Sequence, residues 1–429
     1  MEIKNIKLKK GVELTALTTD KFKSSILKVY LLTELKEETA SHNSLLVDVM
    51  SASCEKYPEL KLLNRKLAEL YDTVVTASVS KVGEADALSF TVSFLDGKYA
   101  FDGTDLLKEC CEMLGEIIFH PLVKDGAFDK AVVEREKKNL IDAIEAEKNN
   151  KSSYAVKRCI DVMCEGEAYS VSANGETEIV KNISAKELYE HYQKTLASAK
   201  VSVFYSGASD TDKVEEMVNR YLPFEERDEN IKYADVIDTV GEVKNVTEEF
   251  PITQGKLSLG FRTGITLPDD DYYAYAVFNA VFGASPSSKL FMNVREKMSL
   301  CYYCRPVPDA HKGTLIVTSG ININDKEKAQ AAILDQLMEI QNGNITDEEI
   351  DNAKRFLKNM NKERYDSPSS LISSYFQNSL YSIYLSPDEK TEKIYAVEKD
   401  DIVKVSKKVI LDTVYFMTGD GTEDSEDEE

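Results

Sequence analysis

Apolar residues along this chain change their rhythm in an order that occurs twice. A strand-like run over Ser25–Leu32 gives way to helical spacing over Ser44–Ser53 and Leu62–Tyr71, then to strand-like runs over Val74–Val79 and Leu88–Phe94. The same succession returns as a strand over Leu257–Arg262, helices over Tyr273–Phe282 and Ser288–Lys297, and strands near Tyr302–Arg305 and Gly313–Ser319. The endings match too. A helix over Lys186–Leu196 runs into a strand over Val201–Gly207, and a helix over Asp401–Ile410 runs into a strand over Val414–Gly419. An offset of roughly 215–230 residues between matching elements predicts two copies of one α+β unit, each a mostly antiparallel sheet with helices packed on one face. The boundaries expected are a first domain over 1–224, a charge-rich linker over 225–249, a second domain over 250–419 and an acidic tail over 420–429.

Composition fits this division. At 429 residues with 42% hydrophobic content, the chain is too long for one core and can fill two. No apolar run reaches the roughly 18 residues of a membrane span, and Met1-Glu2-Ile3-Lys4-Asn5 lacks the apolar stretch of a signal peptide, so the expectation is a cytoplasmic protein with no membrane partner. Seven cysteines, an odd number scattered along the chain, predict reduced thiols. A net charge of −22 excludes nucleic acid as a partner, because nothing would release phosphate counterions. Part of that charge is local: Asp420, Glu423, Asp424, Glu426, Asp427, Glu428 and Glu429 predict a solvated, disordered tail.

The densest chemistry lies between Ser285 and Tyr302. A small-residue turn, Ser285-Pro286-Ser287-Ser288, leads into an amphipathic helix ending Arg295-Glu296-Lys297, and Leu300-Cys301-Tyr302 opens the next strand. This segment resembles the C-terminal half of the insulinase-like (M16) metallopeptidases, in which an Arg and a Tyr seven residues apart hold the substrate peptide opposite a zinc site. Arg295 and Tyr302 keep that spacing. The resemblance covers nearly the whole chain and implies two homologous sandwich halves of the LuxS/MPP-like metallohydrolase type.

The zinc motif that the resemblance calls for is missing. Active members carry His-x-x-Glu-His on the helix after the first strands, two imidazoles at i and i+4 on one helix face with a carboxylate to deprotonate the metal-bound water. Here that motif falls on Leu45-Leu46-Val47-Asp48-Val49, so Leu45 and Val49 occupy the His positions and Asp48 the base position. Glu136, in the Glu-rich helix Glu134–Ile144, matches the distal ligand. One Glu and one Asp without imidazoles make a poor zinc site. The bacterial branch often splits its machinery between two chains, one contributing the zinc motif and the other the Arg/Tyr pair. A chain with the pair alone resembles the second kind: an inactive subunit with no metal or cofactor of its own. It would present Arg295 and Tyr302 to peptide substrate in a zinc-bearing partner, with the Leu45–Val49 region as a peptide-facing wall. Without that partner it could self-associate as a homodimer. Similar inactive chains in Gram-positive bacteria are associated with modification of elongation factor P.

Other residues carry less. His42 and His120 are expected outside any metal site, His191 in a polar helix and His311 in a turn, and no two His share a ligand spacing. Cys301 and Cys304 lie in a strand, where residues three apart face opposite sides. Cys110-Cys111 reads as core. No phosphate-binding Gly-rich loop and no Gly-x-Ser-x-Gly elbow is present. Two rival readings stand beside the subunit: a single-chain enzyme using Asp48 with Glu134 or Glu136 and a metal, and a non-enzymatic peptide-binding scaffold. Metal analysis separates the first, and a partner carrying His-x-x-Glu-His the second.

Overall fold

The computed structural model describes residues 1–228 and 230–419, so the expected acidic tail over 420–429 lies outside the described residues. The chain runs β1 (Glu2–Lys9), β2 (Val12–Thr18), β3 (Ser24–Glu34), α1 (Glu37–Ala52), α2 (Leu60–Glu69), β4 (Val74–Val82), β5 (Ala85–Leu95) and α3 (Leu106–Phe119). A short hairpin of β6 (Val123–Lys124) and β7 (Ala127–Phe128) follows, then α4 (Lys130–Ala146), α5 (Lys151–Met163), α6 (Thr177–Asn182), α7 (Ala185–Ser198), β8 (Lys200–Gly207) and α8 (Thr211–Tyr221). Next come β9 (Lys244–Glu249), β10 (Gln254–Arg262), α9 (Tyr272–Asn279), π-helical turns over Ala280–Ala284 and Leu290–Lys297, β11 (Cys301–Asp309) and β12 (Thr314–Asn322). The last elements are α10 (Lys326–Gln341), α11 (Asp347–Glu363), α12 (Pro368–Ser379), α13 (Pro387–Ala396), α14 (Lys399–Ser406) and β13 (Ile410–Thr418).

These elements gather into two compact units. The first comprises Met1–Glu145, Val171–Tyr233 and Tyr365–Gln377; the second comprises Ala146–Ser170, Ala234–Arg364 and Asn378 onward. The first unit holds a six-stranded sheet in the order β1-β2-β8-β3-β5-β4, antiparallel except for β2 against β8. The second holds a five-stranded sheet in the order β11-β12-β10-β13-β9, antiparallel except for β13 against β9. Lys244–Glu249 therefore pairs as an edge strand, although few apolar anchors mark it: its hydrogen bonds to β13 need backbone, not side chains.

Period-two burial explains how each sheet meets its helices. In β3, Leu27, Val29 and Leu31 join the core of the first unit with Leu45, Val49, Leu114 and Leu188 from α1, α3 and α7. On the opposite face Tyr30 stacks on Phe376, ring centroids 3.6 Å apart. In the second unit Leu257, Leu259, Phe261, Leu315 and Val317 face the helices α9, α10 and α14. Ile316 and Tyr415 point the other way and pack with Ala155, Cys159 and Met163 of α5. Helices on one face is thus the rule for both sheets with one addition each, α5 in the second unit and 365–377 in the first. Gly260 permits the α5 contact, since a Cβ there would lie 2.9 Å from the Met163 sulfur and 3.2 Å from that of Cys159.

Candidate functional site

In the first unit, α1 starts seven residues before the expected Ser44 and carries Glu37 and Glu38 in its first turn, where negative charge suits the helix dipole. Its inward face holds Leu45, 0% exposed, and Val49, 2% exposed, both inside the core. The reading of Leu45–Val49 as a peptide-facing wall is therefore corrected: two aliphatic side chains one turn apart were drawn into the hydrophobic interior. Asp48 keeps partial solvent access. Glu136, on α4, lies close enough to act on it. Burial first, and then the Glu136 charge, push the Asp48 carboxyl up to about 6. Glu136 already accepts hydrogen bonds from Arg135 Nε at 2.7 Å and Asn139 Nδ2 at 2.8 Å, while Glu134 pairs with Lys137 at 3.1 Å.

The folded chain thus brings the base and distal-ligand positions together but gives zinc no imidazole there. These residues do not fit the metal. Among the described residues, no group of three or more His, Cys, Asp and Glu could hold a metal ion.

The Asp48–Glu136 pair has a measurable signature. A carboxyl raised in the folded state holds a proton that the unfolded chain releases, so its contribution to stability declines as pH rises from about 4 to about 6. Asp48→Asn is expected to raise Tm at pH 8 and leave it nearly unchanged at pH 4, a gain of roughly 1–2 kcal/mol once solvent screening is allowed for. An equal effect at both pH values would show that the carboxylate is not repelled.

A second polar cluster in this unit has no spacing signal in the sequence. Folding brings the His42 and His191 rings to 5.3 Å. They do not converge on one point: His42 Nε2 faces Glu187 at 3.1 Å, and His191 Nε2 faces Asn43 Oδ1 at 2.8 Å. Asn43 Nδ2 donates to Asp86 at 2.9 Å, and burial pushes that carboxyl up to about 7. Burial also lowers His191 to about 4, so the ring is neutral near pH 7. His120 caps the end of α3 in solvent, and His311 sits in the β11–β12 turn with Nδ1 3.2 Å from the Tyr381 hydroxyl.

In the second unit the segment from Ser285 is pinned on both sides. Lys289 pairs with Glu349 at 2.8 Å, and Asn293 Nδ2 donates to Gln336 at 2.6 Å. The helix over Leu290–Lys297 ends in wide bonds, Met298 N to Asn293 O at 2.9 Å and Leu300 N to Val294 O at 3.1 Å, with Ser299 at φ 53° turning the chain into β11. Arg295 lies at that end with its side chain 41% exposed, its guanidinium 4.7 Å above the Phe291 ring.

β11 opens on a bulge. Cys301 pairs with Ile321 and Tyr303 with the next residue, Gly320, so Tyr302 is the extra residue and stands 66% exposed. The site therefore offers a planar cation and a phenol at one helix–strand junction, both open to solvent.

The same bulge overturns the expected orientation of the cysteines. By shifting strand phase, it places Cys301 and Cys304 on the same face, against the second unit's core. The hydrogen bond from Cys304, aided by the Arg295 charge and opposed by partial burial, holds the Cys301 thiol below its usual value. Burial pushes Cys110 and Cys111 up, as suits core thiols. Brief iodoacetamide treatment of folded protein is expected to label Cys301 first among the seven cysteines, read by peptide mapping. Preferential labelling of Cys110 or Cys159 would contradict the geometry.

The class of the protein follows from its relatives. Residues 182–357 match the family model described as "Peptidase M16 inactive domain". The chain is 33% identical over 409 residues to the "Probable inactive metalloprotease YmfF" of Bacillus subtilis, covering 95% of this chain and 96% of that one. The chain accordingly belongs to the M16 peptidase family. A crystal structure of a conserved protein from Enterococcus faecalis superposes with a TM-score of 0.90 at 30% identity, covering 99% of this chain and all of that one. A peptidase M16 inactive domain from Pseudomonas fluorescens gives 0.81 at 15% identity over 99% of this chain and all of that one, a likeness of fold. A shorter match, 28% identical over 139 residues, spans 32% of this chain and 34% of the "Uncharacterized zinc protease YmxG" of Bacillus subtilis. No helix among the described residues is long and apolar enough to cross a membrane.

Proposed function

We propose that this chain is the non-catalytic subunit of a heterodimeric M16-type zinc peptidase. It supplies Arg295 and Tyr302 as peptide-binding groups to a partner that carries His-x-x-Glu-His, and it closes the chamber around the substrate. The observation that carries this reading is the Tyr302 bulge: a phenol left 66% exposed beside an exposed guanidinium, in a chain whose zinc positions are filled by buried aliphatics. A strand that only needed a core aromatic would not display it. The family relationship supports the pairing, since Bacillus subtilis holds both a relative named as inactive and one named as a zinc protease. Seven cysteines, an odd number, suit a reducing compartment such as the cytoplasm.

The test is a pull-down of this chain from its own cells, followed by a peptidase assay on what co-purifies. Recovery of a chain of similar size bearing His-x-x-Glu-His, with chelator-sensitive peptide cleavage, supports the subunit. Recovery of this chain alone or as a homodimer, inert and metal-free, supports the scaffold reading instead.

A further inference from the structure

β11 forms an edge of the second sheet, and α5 covers only part of the face that its residues Tyr303, Arg305 and Val307 look toward. A cavity of about 430 Å³ remains there, lined by these three residues, by Ser152, Ser153 and Val156 of α5, and by Thr318 of β12. Each wall follows from local structure. Gly320 has no side chain, so the Tyr303 ring lies against the β12 backbone and its hydroxyl donates to Ser152 Oγ at 2.9 Å. The 13-residue helix α5 starts at the cavity, capped by Asn150 Oδ1, which accepts from Ser153 N at 3.0 Å. Its positive dipole end adds to the field at the cavity mouth.

Three observations point to an anionic occupant. Arg305 is exposed at the rim and has no carboxylate partner among the described residues. Thr318 is its direct cross-strand neighbour and only 2% exposed, yet its Oγ1 is buried without a hydrogen-bond partner. A buried hydroxyl left unmatched costs free energy unless a ligand or solvent meets it. The hydroxyls of Ser152 and Ser153 add further donors at the helix end.

We infer that this cavity is a carboxylate pocket for a peptide, with Arg305 as the ionic partner, Ser152, Ser153 and Thr318 as hydrogen-bond donors, and Val156 and Val307 as walls for the residue bearing the acid. One guanidinium and one helix end match a single negative charge better than a phosphate dianion, which the chain's net charge of −22 would further repel. The inference rests on the peptide-binding reading above but uses residues that reading leaves idle.

The probes are three peptides titrated calorimetrically into the full chain: Ac-Ala-Ala-Ala with a free C-terminal carboxylate, the same peptide amidated, and amidated Ac-Ala-Ala-Asp, with inorganic phosphate as competitor. One or both acids are expected to bind at least about tenfold tighter than the neutral amide, as a charge-assisted contact allows. Preference for the first assigns the pocket to a chain terminus, and preference for the third to an acidic side chain. Arg305→Gln, on an exposed side chain, should abolish the preference. Thr318→Val should weaken acid binding while raising Tm, because it removes an unmatched buried hydroxyl. Equal binding of acid and amide, a preference that survives Arg305→Gln, or tighter binding of phosphate would overturn the inference. Partner capture is scored separately: Arg305→Gln leaves it intact, so its failure bears on the subunit reading alone.

Discussion

Arg295→Ala, assayed in complex with the zinc-bearing partner, is expected to lower kcat/KM for peptide cleavage more than tenfold while the amount of complex recovered stays unchanged. Tyr302→Phe should do the same through loss of one hydroxyl. Removing one donor aimed at a developing oxyanion costs on the order of 10²–10³ in rate, and removing a ground-state contact costs less, so tenfold is the floor. Neither side chain supports the fold. Arg295 rests on Phe291 and approaches Glu296 only at 3.7 Å, and Tyr302 sits on a bulge without a ladder partner. Arg295→Lys should fail to rescue, because an ammonium cannot present the planar fork. The double variant should cost less than the product of the singles if both hold one carbonyl. Unchanged turnover in both singles would make the pair a structural helix–strand junction and remove the main support for the subunit reading.

How much of this was legible beforehand depended on whether the signal was periodic or positional. The strands over Leu257–Arg262 and Leu88–Phe94 and the paired helix–strand endings were readable because burial imposes a period on apolar residues. β9 was not, since Lys244–Glu249 is a polar edge segment whose partner strand begins at Ile410. The π-helical end over Leu290–Lys297 and the Tyr302 bulge were equally hidden. Each depends on one residue of slack in the hydrogen-bond ladder, which no composition reports, and the bulge reversed the inferred facing of Cys304. Apolar spacing puts Leu45 and Val49 on a helix, but their burial is set by what packs against it. Asp48 and Glu136 stand at matching positions of the motif, and their mutual influence emerges only in the folded chain. His42 and His191, 149 positions apart, had no such guide.

The second large effect lies in the second unit and needs no partner. Glu167 takes both guanidinium arms of Arg262, at 2.5 and 3.1 Å, and the Lys312 ammonium at 2.6 Å, while Arg262 Nε also reaches Asp412 at 3.2 Å. Arg262 and Lys312 are buried, and Glu167 is the carboxylate they share. Burial alone would push the Glu167 carboxyl up, yet the hydrogen bonds from Arg262 and Lys312 prevail and hold it below its ordinary value. Glu167→Gln keeps the shape and removes the charge, which leaves buried cations undercompensated. The expected cost is roughly 3–5 kcal/mol, a fall in Tm on the order of 10 °C for a unit of this size. The sign with pH follows from the depressed carboxyl. Its stabilisation is present above the unfolded-state value near 4 and is lost as pH falls through the folded one, so the gap between wild type and variant should be full at pH 7 and close in acid. Thermal unfolding at pH 7 and in acid checks both. A shift below about 2 °C at pH 7 would mean that Asp412 and backbone carbonyls already satisfy the two cations. The site at Arg295 would then hang on a unit held by its hydrophobic core, with the ion network contributing specificity of packing and little stability.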